Sequence, residues 1–287
     1  MSKKKFDKNL EFKKTITQVI EKFKNLGLNN HTRDFRLKTF LDSNGDFDYD
    51  AYVQIQTMIN KKKINFKGPA KTNLKKLTEH MVGYIGINNI KFGLCHGTRR
   101  GTEQMYFTDL LNKAGGQVDV IGTEISDTAV DFPNTIQWDF HHIKDEWIDN
   151  ISFIFSNSLD HSYHPILCLS QWMKCLQPGG IIYLQRGIDD LPKTFMGDQW
   201  KDNDGIRPDE EFPADAFQST HEVFENIIIP QSAKLAGKNI KIERISYPEH
   251  PAKNQKLKFL KNSLRNINKK KADFFYIAII NKGKIVE

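Results

Sequence analysis

No stretch of this 287-residue chain approaches the roughly 20 consecutive apolar residues that a membrane-spanning helix requires. The opening run Met1-Ser2-Lys3-Lys4-Lys5-Phe6-Asp7 has charge but no apolar centre, so no secretory leader is expected and the cytoplasm is the expected compartment. Cysteine is scarce. Cys95, Cys168 and Cys175 form no CxxC pair and leave an odd count, which argues against a disulfide framework or a zinc knuckle and predicts reduced, mostly buried thiols. A calcium loop is missing too. Asp42, Asn44 and Asp46 have its spacing, but Gly45 precedes Asp46 where the loop needs glycine after its third ligand, and no glutamate follows. These residues predict a turn and the cap of a helix over about Asp50 to Asn60, and no metal site is expected.

The net charge of +7 suggests nucleic acid until its distribution is examined. Residues 1–80 hold 18 Lys+Arg against 9 Asp+Glu, so the remainder carries a slight negative balance. Residues 189–225 hold 11 acids against 3 bases, whereas 252–271 hold 8 bases and no acid. Without interleaved aromatics the basic segments read as solvated lysine-rich surface, and nucleic acid ranks below a small molecule or glycan as partner. Nothing points to a membrane partner, and the oligomeric state is not legible.

Ile16, Val19, Ile20 and Phe23 fall at helical spacing within Leu10–Leu28 and predict an amphipathic surface helix. Residues 1–80 therefore read as a basic, helical N-terminal extension. From residue 90 short apolar runs alternate with helical stretches, the pattern of β-α-β units on a largely parallel sheet. The predicted strands are Ile90–Cys95, Val118–Thr123, Thr135–Trp138, Phe153–Ser156, Gly180–Leu184, Ile240–Ser246 and Phe274–Ile280. Residues 187–217 break the rhythm with glycine, proline and acids, and read as a functional loop inserted in an α/β domain over 81–287.

The first of these strands runs into His96-Gly97-Thr98-Arg99-Arg100-Gly101, with a helix expected from Thr102. Glycines at the carboxyl edge of such a sheet let backbone approach a nucleotide-like ligand, although an ordinary strand-to-helix turn has the same look. The second strand ends in Glu124, followed by Ile125. An acid there can accept two ribose hydroxyls or cap a helix. Trp138-Asp139-Phe140-His141-His142 closes the third, offering a carboxylate and an aromatic wall for adenine, or a capping Asp. The fourth delivers Ser156-Asn157-Ser158-Leu159-Asp160-His161, in which Asp160 and His161 could form a general base with its orienting partner, or a structural hydrogen bond. Leu176-Gln177-Pro178-Gly179-Gly180 then stops a helix and opens a buried strand.

Read together, these segments resemble the successive motifs of class I S-adenosylmethionine-dependent methyltransferases over about residues 84–287. The resemblance implies a Rossmann-like three-layer sandwich with a seven-stranded, mostly parallel sheet whose last strand is antiparallel. It implies S-adenosylmethionine as cofactor, held by His96, Gly97, Thr98, Arg99, Gly101, Glu124, Ile125, Asp139, Phe140, Asn157 and Ser158. More narrowly, Cys95–Gly101, Gly122–Ser126, Trp138–His141, Phe47-Asp48-Tyr49 and Gln56–Lys61 are similar to a branch often associated with surface-glycan methylation. Two positions depart from the family turn: Cys95 stands where an acid is usual, and Arg99 replaces the middle glycine. Arg99 or Arg100 could meet the cofactor carboxylate instead. The expected chemistry is O-methylation of a sugar or small-molecule hydroxyl, with Asp160 and His161 catalytic. A methyltransferase-like module that has lost catalysis is the alternative, while a nicotinamide dehydrogenase would call for a GxGxxG turn that is absent here.

Overall fold

The computed structural model describes residues 31–32, 35–37, 40, 42–65, 68–186, 216–219, 221–246 and 275–285. The helix expected at Leu10–Leu28 and the basic stretch at 252–271 lie outside them, as does nearly all of the acidic stretch at 187–217.

Among the described residues there are two sheets. The larger has strand order β5-β4-β3-β6-β7-β10-β9, formed by β3 (Phe92–His96), β4 (Asp119–Glu124), β5 (Thr135–Gln137), β6 (Ile151–Ser156), β7 (Leu176–Arg186), β9 (Lys238–Ser246) and β10 (Phe275–Lys284). Strands β3 to β7 pair in parallel, and β10 runs antiparallel to both of its neighbours. All seven expected strands are therefore present, and the last in sequence is the reversed one. The run Phe275-Tyr276-Ile277-Ala278-Ile279-Ile280 is buried throughout because β10 is wedged between β7 and β9 with both faces covered.

The period-two alternation of side chains splits the core into two layers. Leu94, Ile154, Ile182, Ile277 and Ile279 face one side, where α4 (Pro165–Cys175) and α5 (Ile229–Ala236) pack. Cys95, Phe153, Phe155, Tyr183, Tyr276 and Ala278 face the other, against α2 (Lys71–Ile85) and α3 (Thr102–Lys113). Helix α2 runs through residue 80 and buries Leu74, Leu77 and Met81 in that second layer. The three cysteines are buried and unpaired. Among the described residues no helix is long and apolar enough to cross a membrane.

A small antiparallel sheet, order β1-β2-β8, joins β1 (His31–Thr32), β2 (Phe35–Leu37) and β8 (Phe217–Ser219). Beyond it comes α1 (Tyr49–Lys62), which starts one residue before the expected helix. Asp42 Oδ1 accepts from the backbone of Asn44 and Asp46, and Asp48 caps α1 by accepting from Ala51 N at 2.9 Å. The Asp42–Asp48 acids thus serve as turn and cap residues.

Candidate functional site

At the carboxyl edge of β3 the chain turns through three left-handed residues within five: Gly97 (φ 70°), Arg99 (φ 50°) and Gly101 (φ 71°). Gly97 N and Thr98 N both donate to Thr123 O, which ties the turn to the end of β4. A Cβ at Gly97 would lie 2.5 Å from Ser158 Cβ, so only glycine lets the loops after β3 and β6 come this close. Ser158 Oγ bridges them by donating to Gly97 O at 3.2 Å.

Glu124 closes β4 with its carboxylate buried, accepting from Arg99 N at 3.1 Å and Ser126 N at 3.0 Å. A carboxylate has about four acceptor positions, so two stay available on the cleft side. The carboxylate of Asp139, just beyond β5, is by contrast fully engaged. His141 N donates to Oδ1 at 2.9 Å and the His141 ring meets it at 2.6 Å, while the hydroxyls of Tyr49 and Tyr163 donate to Oδ2 at 2.9 and 3.3 Å. Burial alone would push this carboxyl up, but the His141 pairing outweighs it and holds the group at about 2. The far nitrogen of His141 meets Ser162 Oγ at 2.8 Å, and Trp172 in α4 donates its indole N–H to Phe140 O at 2.7 Å. Core packing thereby fixes the backbone of the segment.

One shallow cleft, open to solvent, gathers Gly97, Arg99, Glu124, Ile125, Asp139, Phe140, Ser158 and His161. Four of the expected residues turn elsewhere. His96 is buried against Trp172, ring centroids 4.6 Å apart, with Nδ1 on Thr123 Oγ1, and burial, then His141, lowers its ring to about 3. Thr98 points inward to Glu103 and Gln104, and Gly101 lies with Arg100 in a second depression beside α3. Asn157 Oδ1 lies 3.1 Å from Ser158 Oγ and is not among the groups lining the cleft. Asp160 stands beside the cleft, its Oδ1 3.9 Å from His161 Nε2. The two arginines are separated: Arg99 lines the cleft and Arg100 does not. Cys95, in the place of the family's acid, packs into the core, where burial pushes its thiol up.

The roof of the cleft was not legible as such in the sequence. Tyr52, Gln56, Ile59 and Asn60 line it from α1, one face of a single helix. The available signal was a polar stripe at i, i+4, i+8 on a buried face. Glu103 was also missed; it lies fully buried in the first turn of α3 beneath the glycine turn, and burial pushes its carboxyl up to about 7.

No protein-family model and no curated protein matches the sequence. Solved structures match in shape. The plantazolicin methyltransferase BpumL, in complex with a triazolic desmethylPZN analog and SAH, aligns with a TM-score of 0.53 and 13% identity over 82% of this chain and 98% of that one. The chain has the fold of the S-adenosylmethionine-dependent methyltransferases. A SAM-dependent methyltransferase from Archaeoglobus fulgidus aligns with a TM-score of 0.47 and 13% identity, covering 82% of this chain and 100% of its own. Within this methyltransferase fold the cleft sits where parallel strands end and the strand order reverses between β3 and β6, the place at which open α/β sheets bind their ligands.

Proposed function

We propose that the chain is a methyltransferase that binds S-adenosylmethionine and methylates a hydroxyl oxygen of a sugar or another small molecule. The observation that carries this reading is convergence: the segments following β3, β4, β5 and β6 each send residues into one cleft. The residues present fit the cofactor. Gly97 leaves backbone where a Cβ would collide with Ser158, Glu124 keeps acceptor capacity for ribose hydroxyls, and Ile125 and Phe140 offer apolar surface to a flat base. Asp139, its oxygens already taken, acts through the backbone and aromatic groups that it holds in place. Arg99 is the cationic group placed to meet a carboxylate, since Cys95 supplies no acid for an ammonium.

When bound, S-adenosylmethionine supplies an electrophilic methyl group on its sulfonium. His161 lines the same cleft, and its Nε2 takes the proton of the acceptor hydroxyl. The carboxylate of Asp160, 3.9 Å away, steadies the positive ring that results. Helix α1 lines the cleft beside these groups. The buried Cys95 favours, as a second reading, a fold that binds the cofactor without turnover. Transfer of labelled methyl from S-adenosylmethionine to candidate acceptors, sugars first, decides between the two. His161→Ala is expected to lower kcat by about 10²–10⁴-fold with S-adenosylhomocysteine affinity unchanged. Full turnover in that variant removes His161 from the chemistry.

A further inference from the structure

Helix α1 buries polar side chains where a helix packed on a core ordinarily buries apolar ones. Tyr52, Gln56 and Asn60 stand one turn apart and expose only 1%, 7% and 5% of their surfaces. Two of these successive turns grip a single residue on the opposite wall. The Tyr52 hydroxyl donates to the backbone oxygen of His161 at 3.3 Å, and Gln56 Oε1 lies 2.8 Å from His161 Nδ1. The helix is clamped elsewhere by Tyr49 on Asp139, by Asn60, which accepts from the Thr128 hydroxyl at 3.3 Å, and by the Lys61–Asp127 pair at 2.9 Å.

As placed, the Gln56 amide turns its oxygen to His161, and because an amide oxygen only accepts, this orientation goes with a hydrogen on the facing ring nitrogen. A neutral imidazole has one N–H, which leaves the lone pair on Nε2. Asp160 Oδ1, 3.9 Å from that nitrogen, is too far for a hydrogen bond and leaves the lone pair open. We propose that Gln56 is the positioning residue of His161: it fixes the proton on Nδ1, presents Nε2 as the base, and links that state to the docking of α1. The proposal rests on the reading of His161 as the base and assigns to Gln56 the orienting role that sequence spacing gives to Asp160.

The test uses the full-length chain carrying ¹⁵N-labelled histidine, with long-range proton–nitrogen spectra recorded with and without S-adenosylhomocysteine. The Nδ1–H pattern is expected for His161 in the parent chain and in Gln56→Glu, and its loss in Gln56→Leu. In methyl transfer, Gln56→Leu is expected to lose at least about tenfold in kcat with KM and S-adenosylhomocysteine affinity within about twofold. Gln56→Glu is expected to regain most of kcat, because a carboxylate in that place also accepts from Nδ1. An Nε2–H pattern in the parent chain overturns the proposal. So does a Gln56→Leu variant with parental kcat and pH profile while His161→Ala is inactive. Parental activity in His161→Ala instead overturns the underlying reading of the base, and the two failures are thereby told apart.

Discussion

Replacing Glu103 by Gln is expected to stabilise the chain by about 3 kcal/mol near pH 8 and to leave its stability nearly unchanged below about pH 4.5. The reason lies in a count of hydrogens. Thr98 Oγ1 is 2.5 Å from Gln104 Oε1 and 2.9 Å from Glu103 Oε2, yet a hydroxyl has a single hydrogen to give. The Gln104 amide is oriented by its Nε2, which donates to Thr135 Oγ1 at 2.8 Å and to Asn134 O at 3.3 Å, so its oxygen must face Thr98 as an acceptor. With the Thr98 hydrogen directed to Gln104, the contact with Glu103 is satisfied when Glu103 is the donor, that is, when it is protonated. Burial agrees, raising this carboxyl from the ordinary 4.5 to about 7. Its own backbone N–H and the nearby Arg99 work against the rise, and Glu124 adds to it. Cys95, a further titratable group near it, is itself buried.

The folded chain therefore binds this proton more tightly than the unfolded chain does. Between about pH 4.5 and 7 it holds the extra proton, so stability falls as pH rises through that window. Glutamine keeps an N–H for Thr98 and does not titrate. His96 and His164, both buried and lowered to about 3, impose their own pH dependence, but it cancels in the difference between the two chains. Urea denaturation of both across this range checks the expectation. A difference that does not vary with pH contradicts it.

Asp139→Ala is expected to have the largest effect in the opposite direction, a loss of about 3–5 kcal/mol. Its two oxygens receive His141, Tyr49 and Tyr163, which come from a loop, from α1 and from the segment before α4. Alanine would leave those buried donors without an acceptor, and an orphaned buried group costs far more than a hydrogen bond contributes. The thermal midpoint should fall by on the order of 10 °C, and proteases should cut near Tyr49 as α1 loses its anchor. A fall of less than about 1 kcal/mol would show that the network is not what holds the roof on the cleft.

Much of this fold was legible because each of its seven strands has a local signature. The alternation in Leu94-Cys95, Phe153-Ile154-Phe155 and Ile181-Ile182-Tyr183 assigns residues to opposite layers, and Leu176-Gln177-Pro178-Gly179-Gly180 marks where α4 ends and β7 begins. Strands β1, β2 and β8 have two or three residues each and lie outside the alternating β-α-β pattern that marks the equally short β5; β1 pairs with its neighbour β2, and β2 is joined to β8 from the far half of the chain. The site follows the same division. Gly97, Glu124 and Asp139 were legible from their positions at strand ends, whereas Gln56 meets His161 across 105 residues and Tyr49 meets Asp139 across 90. Spacing says nothing about such encounters. Asn157 has its Oδ1 beside Ser158 Oγ, and of the two it is Ser158 that lines the cleft.

The most direct measurement is a calorimetric titration of S-adenosylhomocysteine into the full-length chain and into Glu124→Ala. Glu124 reaches the cleft with half of its acceptor capacity free. One molecule per parent chain is expected, with affinity lowered by about 10–100-fold in the variant, the loss of a charge-assisted hydrogen-bonded pair. Absence of saturable binding to the parent chain, or equal affinities in the two, would contradict the placement of the cofactor in this cleft.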